Sequence, residues 1–135
     1  MARPWGRKAA VVGATLLIAS LGTMAPTSAV ENGGNRDCNA GFTTLKYDGM
    51  PTLGDVYTDG TLTVTVTGVD YKADGSMEIY GFSADITGAS TFYVIVKGGP
   101  TSIRHSNGQT TDLDTRLGPG GRHYGISNVK FCYKV

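Results

Sequence analysis

The sequence predicts an all-β protein: an antiparallel β-sandwich of immunoglobulin-like or jelly-roll-like type, with about seven to nine short strands. Apolar residues after residue 30 recur with a period of two rather than 3.6, and no useful helical stripe interrupts them. Glycine-containing turns separate these runs, with 20 glycines in the 135 residues. The two cysteines, Cys38 and Cys132, lie near opposite ends of this region, which suits a fold whose first and last strands are neighbours.

The first 29 residues have the pattern of a secretory signal peptide. A basic start without an acid precedes an apolar run over residues 9–22, and small residues follow. The apolar run is shorter than the about 20 residues that a membrane-spanning helix needs. We expect cleavage after Ala29, with Ala25 as the nearest alternative. An uncleaved membrane anchor is the competing interpretation.

After cleavage we expect a polar, flexible lead-in at residues 30–37 and a single domain at residues 38–135. Export would place Cys38 and Cys132 in an oxidising compartment, where one intramolecular disulfide is possible. That bridge would hold the first and last ordered segments side by side. The competing interpretation is a reactive cysteine, but no Cys-His motif accompanies either cysteine.

Residues 61–67 (TLTVTVT) alternate strictly between threonine and apolar residues, which predicts a half-buried strand with Leu62, Val64 and Val66 on one side. Residues 69–72 and 77–83 flank the dipeptide Asp74-Gly75, which favours a tight turn between two strands.

Later strands are predicted from denser apolar runs. Residues 91–97 (TFYVIVK) are almost continuously apolar, which predicts a central strand covered on both faces. Residues 102–105 form a short strand candidate before the Asn107-Gly108 turn, and residues 118–121 (GPGG) form a loop. Residues 128–133 should form the closing strand, with Val129, Phe131 and Tyr133 on one side.

Three segments, VIVKGGP (94–100), TDLDTRL (111–117) and GISNVKFCY (125–133), resemble a group of small bacterial secreted and surface β-domains. Those domains carry VIVKGG, a D-x-x-L segment with a Pro/Gly loop, and ISHVxFCY at similar distances. The resemblance implies an extracellular β-domain and brings no catalytic residues to this chain. The sequence departs from the group at Asn128, where histidine is frequent, and at Arg104-His105, where aromatic residues are frequent.

Composition and spacing argue against several functional classes. The mature chain would carry nine Lys and Arg against eleven Asp and Glu, a formal charge of −2, which disfavours nucleic acid as a partner. Two cysteines cannot supply a four-ligand zinc site, and we expect no cofactor. Asp112 and Asp114 are weak calcium candidates, but a calcium site takes six or more oxygens, and turn formation explains both residues more simply.

An enzyme is not expected either. Glu78, His105 and Arg122 supply the residue types of a small secreted ribonuclease, but their spacing indicates no site. No G-x-S-x-G motif of a serine hydrolase is present. We therefore predict a non-enzymatic protein, with a small secreted hydrolase as the third hypothesis for its function.

The mature chain contains seven tyrosines, which suit both a core and a recognition surface. We expect about half of them in the core, and we expect Tyr71 and Tyr124 to be exposed. Since loops on a rigid scaffold carry recognition, the candidate binding loops are residues 70–76 and 118–124. The candidate ligand-binding residues are Tyr71, Asp74, Arg122 and Tyr124.

The sequence thus predicts a secreted, extracellular binding domain or cell-envelope-associated domain. We expect a monomer whose partner is an extracellular protein or an envelope polymer, with no nucleic acid and no membrane contact after signal cleavage. The second hypothesis is a secreted inhibitor of an extracellular hydrolase. Such an inhibitor would present Arg116, Leu117 and Gly118 as a rigid, extended loop.

Overall fold

The computed structural model describes residues 30, 31 and 36–135, so the predicted signal peptide at residues 1–29 lies outside the described residues. Nine strands occur in this part of the chain. They are β1 (Val30–Glu31), β2 (Thr43–Asp48), β3 (Val56–Thr58), β4 (Thr63–Tyr71), β5 (Ile79–Thr87), β6 (Thr91–Gly98), β7 (Thr101–Arg104), β8 (Leu113–Asp114) and β9 (Ile126–Lys134). A short 3₁₀ turn covers Pro119–Gly121. None of the described residues belongs to a helix that is long and apolar enough to cross a membrane.

The strands form two antiparallel sheets, which confirms the predicted sandwich. One sheet has the order β1-β7-β6-β9-β2 and the other the order β3-β4-β5-β8. Buried side chains from both sheets form one cluster between them. Leu62, Val64 and Val66 lie in this cluster, and Val129 and Phe131 meet them from β9. The inward faces predicted for residues 61–67 and 128–133 are therefore confirmed.

Strand β6 lies at the centre of the five-stranded sheet, as its apolar run predicts. It buries Tyr93, Val94, Ile95 and Val96 in succession. Val94 and Val96 face the second sheet, while Tyr93 and Ile95 face outward into a separate buried cluster that includes Cys132. Both faces of the strand are covered, so a continuous hydrophobic run is the sequence that this position requires.

Residues 36–42, the covering segment, shield the outer face of the five-stranded sheet. Cys38 is bonded to Cys132, which confirms the predicted disulfide. Phe42 packs edge-on against Tyr93 with 5.0 Å between ring centroids, and the Asn39 N–H donates to the Tyr93 hydroxyl at 2.7 Å. Strand β2, which follows this segment, pairs with β9 along six residues. The segment around the first cysteine is thus held against the last strand.

Residues 30, 31, 36 and 37 are the described part of the predicted lead-in. Val30 and Glu31 form β1 and pair with Ile103 and Ser102 of β7, because the outer edge of β7 offers unpaired backbone groups. Nearer the disulfide, Lys130 donates to the Arg36 carbonyl at 2.6 Å. The described residues of this segment thus contact both β7 and β9.

A side-chain hydrogen bond links the β3–β4 turn of one sheet to β9 of the other. Asp59, in the turn between β3 and β4, accepts the backbone N–H groups of Thr61 and Leu62 at 3.0 Å each, and it also accepts the Tyr133 hydroxyl of β9. Burial alone would raise the pKa of Asp59, but these three donors outweigh it and hold the pKa below its ordinary value. Burial and the same bond raise the pKa of Tyr133 to about 12.

Candidate functional site

A groove lies where the β4–β5 hairpin turn meets the loop of residues 118–124. It has a volume of about 480 Å³, within the range of ligand-binding clefts, and it is open to solvent. Its lining consists of Tyr71, Lys72, Ala73, Asp74, Tyr80, Gly121, Arg122 and His123. The structure thus brings together the two loops that the sequence singles out. Three of the four candidate ligand-binding residues, Tyr71, Asp74 and Arg122, line this groove.

The hairpin side of the groove is charged. Lys72 lies 3.6 Å from Asp74 and 3.2 Å from Glu78, so two carboxylates share one ammonium group. Asp74 also accepts the Ser76 N–H at 2.9 Å. Hydrogen bonds from Ser76, with a smaller contribution from Lys72, lower the pKa of Asp74 to about 2. Asp74 is therefore ionised at any ordinary pH.

Aromatic rings line the groove on both sides. Tyr71, at the end of β4, is 51% exposed. Tyr80 of β5 stacks on His123, with 4.3 Å between ring centroids and 8° between ring planes. His123 Nδ1 donates to the Thr115 carbonyl at 2.7 Å, which fixes the imidazole ring in this orientation. The rings of Tyr80 and His123 join the hairpin to the opposite loop.

Tyr124 does not line the groove, and the expectation that it is exposed is wrong. It is half-buried because its ring fits between Gly99 and Gly118. A Cβ atom on either glycine would lie 2.5 to 2.7 Å from ring carbons of Tyr124, so this slot requires both glycines. Tyr124 therefore anchors the loop beneath the groove instead of facing a ligand.

Arg122 extends from the loop as an exposed side chain. The backbone before it turns through Gly120 and Gly121, both with positive φ (86° and 78°), a conformation that favours glycine. The carboxylates of residues 36–135 form ion pairs with lysines but none with Arg122. The guanidinium is thus available to a ligand.

The acidic residues proposed as calcium candidates lie beside the groove. The Asp114 carboxylate leans over Gly81, where a Cβ would come within 1.8 Å of its Oδ1 atom. Burial raises the pKa of Asp114, and His123 opposes that shift. Burial also raises the pKa of Tyr80, with Asp70, Asp114 and Asp112 adding to the effect. Within the described residues, no group of three or more His, Cys, Asp or Glu side chains is arranged to hold a metal ion.

The residues considered for a hydrolase have separate local contacts. Glu78 pairs with Lys72 beside the groove, and Arg122 lines it. His105 is not part of the lining: Nε2 donates to the Asp114 carbonyl at 3.0 Å, and Nδ1 accepts from Gln109 at 3.3 Å. Burial lowers the pKa of His105. Its ring therefore serves a structural role, connecting the end of β7 to β8.

Comparison with known proteins identifies no relative. No protein-family model matches the chain. No curated protein and no solved structure matches it significantly.

Sequence reasoning missed the Tyr80–His123 stack and the pairing of Lys72. The period-two pattern of residues 77–83 gives a weak signal that Tyr80 faces away from the core, because Tyr80 lies between the buried Ile79 and Gly81. No local signal points to His123, since its partner lies 43 positions earlier in the chain.

Proposed function

We propose that this protein is a secreted, non-enzymatic binding domain that holds its ligand in the groove between residues 70–76 and 118–124. One observation carries the proposal: two loops separated by more than 40 residues of chain form a single open groove. It combines aromatic rings with an arginine that pairs with none of the described carboxylates. Aromatic residues and arginine are the residue types that contribute most to recognition surfaces.

The groove is pre-organised for binding. Hydrogen bonds from Thr115 to Tyr124 and from Gly118 to Arg122 close the loop at 2.5 and 2.7 Å. The glycine slot around the Tyr124 ring fixes the loop on the sandwich. A loop that is rigid before binding loses less conformational entropy when a ligand is bound.

The partner we propose is an envelope polymer or another extracellular protein, bound by a monomer. An open groove at the end of a sandwich admits a long chain without requiring a closed pocket. The disulfide is compatible with an oxidising, extracellular location. The resemblance to small secreted and surface β-domains agrees with that assignment.

The test is co-sedimentation of residues 30–135 with washed cell envelopes of the producing organism. We expect saturable retention, weakened about tenfold or more by a Tyr71→Ala, Arg122→Ala double variant. A Leu53→Ala, Lys46→Ala double variant is the matched control, since it removes an exposed apolar residue and a partly exposed cation elsewhere. Thermal unfolding should show that both variants are folded. Equal retention of both variants would overturn the groove as the binding site.

The inhibitor hypothesis is favoured by a different observation. Leu117 is 52% exposed at the end of a loop that hydrogen bonds hold closed, including Tyr124 N–H to the Arg116 carbonyl at 3.4 Å. A rigid, protruding side chain is what a standard inhibitor presents to a protease. Titration against secreted proteases would support this alternative if one enzyme were blocked at a stoichiometry of one to one and Leu117→Asp abolished the effect.

A further inference from the structure

Among the described residues that line the groove, one cation has a charge that no carboxylate neutralises. Lys72 is shared between Asp74 and Glu78, and its side chain is largely buried. Arg122 is exposed and forms no ion pair with the described carboxylates. A guanidinium binds a carboxylate through two parallel hydrogen bonds. The unpaired charge therefore favours a ligand that carries a carboxylate.

The aromatic rings favour a ligand with flat, partly apolar faces. Tyr71 is half exposed, and the stacked Tyr80 and His123 each have a second ring face that is not used in their mutual contact. Sugar rings present C–H faces that stack on aromatic rings, while their hydroxyls bind polar groups at the edges. Asp74, ionised and at the groove surface, is positioned to accept such hydroxyls.

The surrounding charges limit how anionic the ligand can be. Asp70, Asp112 and Asp114 lie near Tyr80, and Asp74 lines the groove. Such neighbours repel a densely charged phosphate or sulfate polymer. A single carboxylate held at Arg122 meets less repulsion, and a neutral sugar would leave the guanidinium unused.

We infer that the groove binds an acidic saccharide, with sugar rings against Tyr71 and the Tyr80–His123 stack and a uronic-acid carboxylate on Arg122. The inference rests on the proposed function, since it names the ligand class of the same groove. It also distinguishes Arg122 from Arg116, which precedes the loop: Arg122 lines the groove, whereas the exposed Arg116 does not.

Isothermal titration with tetrasaccharides that each carry one galacturonate or one mannuronate residue among neutral sugars tests the inference, each beside its carboxyl-reduced, neutral counterpart. We expect at least one acidic saccharide to bind about tenfold more tightly than its neutral counterpart. Added salt should weaken the acidic form selectively. Arg122→Gln should abolish the difference between the two forms, and the matched control Arg116→Gln should retain it.

Equal affinity for acidic and neutral forms, or no binding of any of these saccharides, would overturn the inference. An equal loss in Arg116→Gln and Arg122→Gln would also overturn it, because general electrostatic attraction would then suffice. These outcomes are separable from failure of the proposed function. Envelope retention that depends on Tyr71 and Arg122, without saccharide binding, would leave the binding domain supported and point to a protein or peptide ligand.

Discussion

The disulfide gives the most quantitative prediction for this fold. Replacing Cys38 and Cys132 together by alanine leaves the folded chain with its other contacts to the covering segment: the Asn39–Tyr93 hydrogen bond and the edge-on Phe42 ring. The main change is therefore expected in the unfolded state, which gains the freedom that the bridge had removed.

The magnitude follows from the loop that the bridge closes. The cysteines are 94 residues apart, and the chain-entropy relation gives about 4.7 kcal/mol at 25 °C for a loop of that length. Domains of this size unfold with about 5–15 kcal/mol, so the double variant should retain only a fraction of its stability. At roughly 4–8 °C per kcal/mol, the midpoint of thermal unfolding should fall by ~20–40 °C.

Urea unfolding followed by tyrosine fluorescence and circular dichroism measures the change. The denaturant slope should rise in the double variant, because its unfolded chain exposes more surface. Phe42→Ala serves as a control that weakens the covering segment while keeping the bridge. Because the ring is only half-buried, its loss should cost about 2 kcal/mol. A loss below about 2 kcal/mol in the double variant, or a loss equal to that of Phe42→Ala, would refute the loop-entropy explanation.

Three further predictions concern the loop and two titrating groups. Gly118→Ala should destabilise the domain by about 1–3 kcal/mol and shift the NMR resonances of Tyr124, because the added Cβ would lie 2.7 Å from that ring. The control Gly68→Ala should be nearly neutral, because its added Cβ would have only ordinary contact distances. Asp59→Asn should cost about 1–2 kcal/mol at neutral pH. The same variant should reduce the loss of unfolding free energy at acid pH, because a carboxyl with a lowered pKa stabilises the fold above about pH 3.9 and loses that contribution as pH falls. An unchanged dependence of stability on acid pH would contradict the reasoning. The lowered pKa of His105 predicts that the free energy of unfolding falls as pH drops below about 6.5, because the unfolded histidine then gains a proton that the folded one resists. His105→Gln should remove this pH dependence in urea titrations at about pH 5 to 7.

Much of the fold could be predicted because the relevant signals are local. The alternation in residues 61–67 fixes the inward face of β4, and the apolar run of residues 91–97 identifies β6 as a strand with two covered faces. Strands β3 and β8 have three and two residues, too few for a period to emerge. β4 also runs through residues 69–71 as one strand, because the register shift between Val66 and Gly68 lets it continue past the glycine.

The candidate site could be predicted only in part, because its geometry depends on contacts distant in sequence. Turn-forming residues in the sequence predicted both loops and three residues of the groove lining. The position of Tyr124 could not be predicted, since the slot that buries it is made by Gly99, which follows a different strand. Sequence alone likewise cannot show that Lys72 is neutralised while Arg122 is not, although that difference determines which charge a ligand meets.

The position of β9 between β6 and β2 governs the order in which the sandwich can assemble. Until residues 126–134 have been synthesised, β2 lacks its neighbour, one edge of β6 remains open, and Cys38 has no thiol to join. The β4–β5 hairpin can form early from nearby residues, whereas the five-stranded sheet must wait for strands that meet across most of the chain, which is a slow arrangement. A growing or truncated chain would therefore expose an apolar strand edge, the kind of surface that other chains can extend. The last strand thus limits both the rate of folding and the protection of the protein from aggregation.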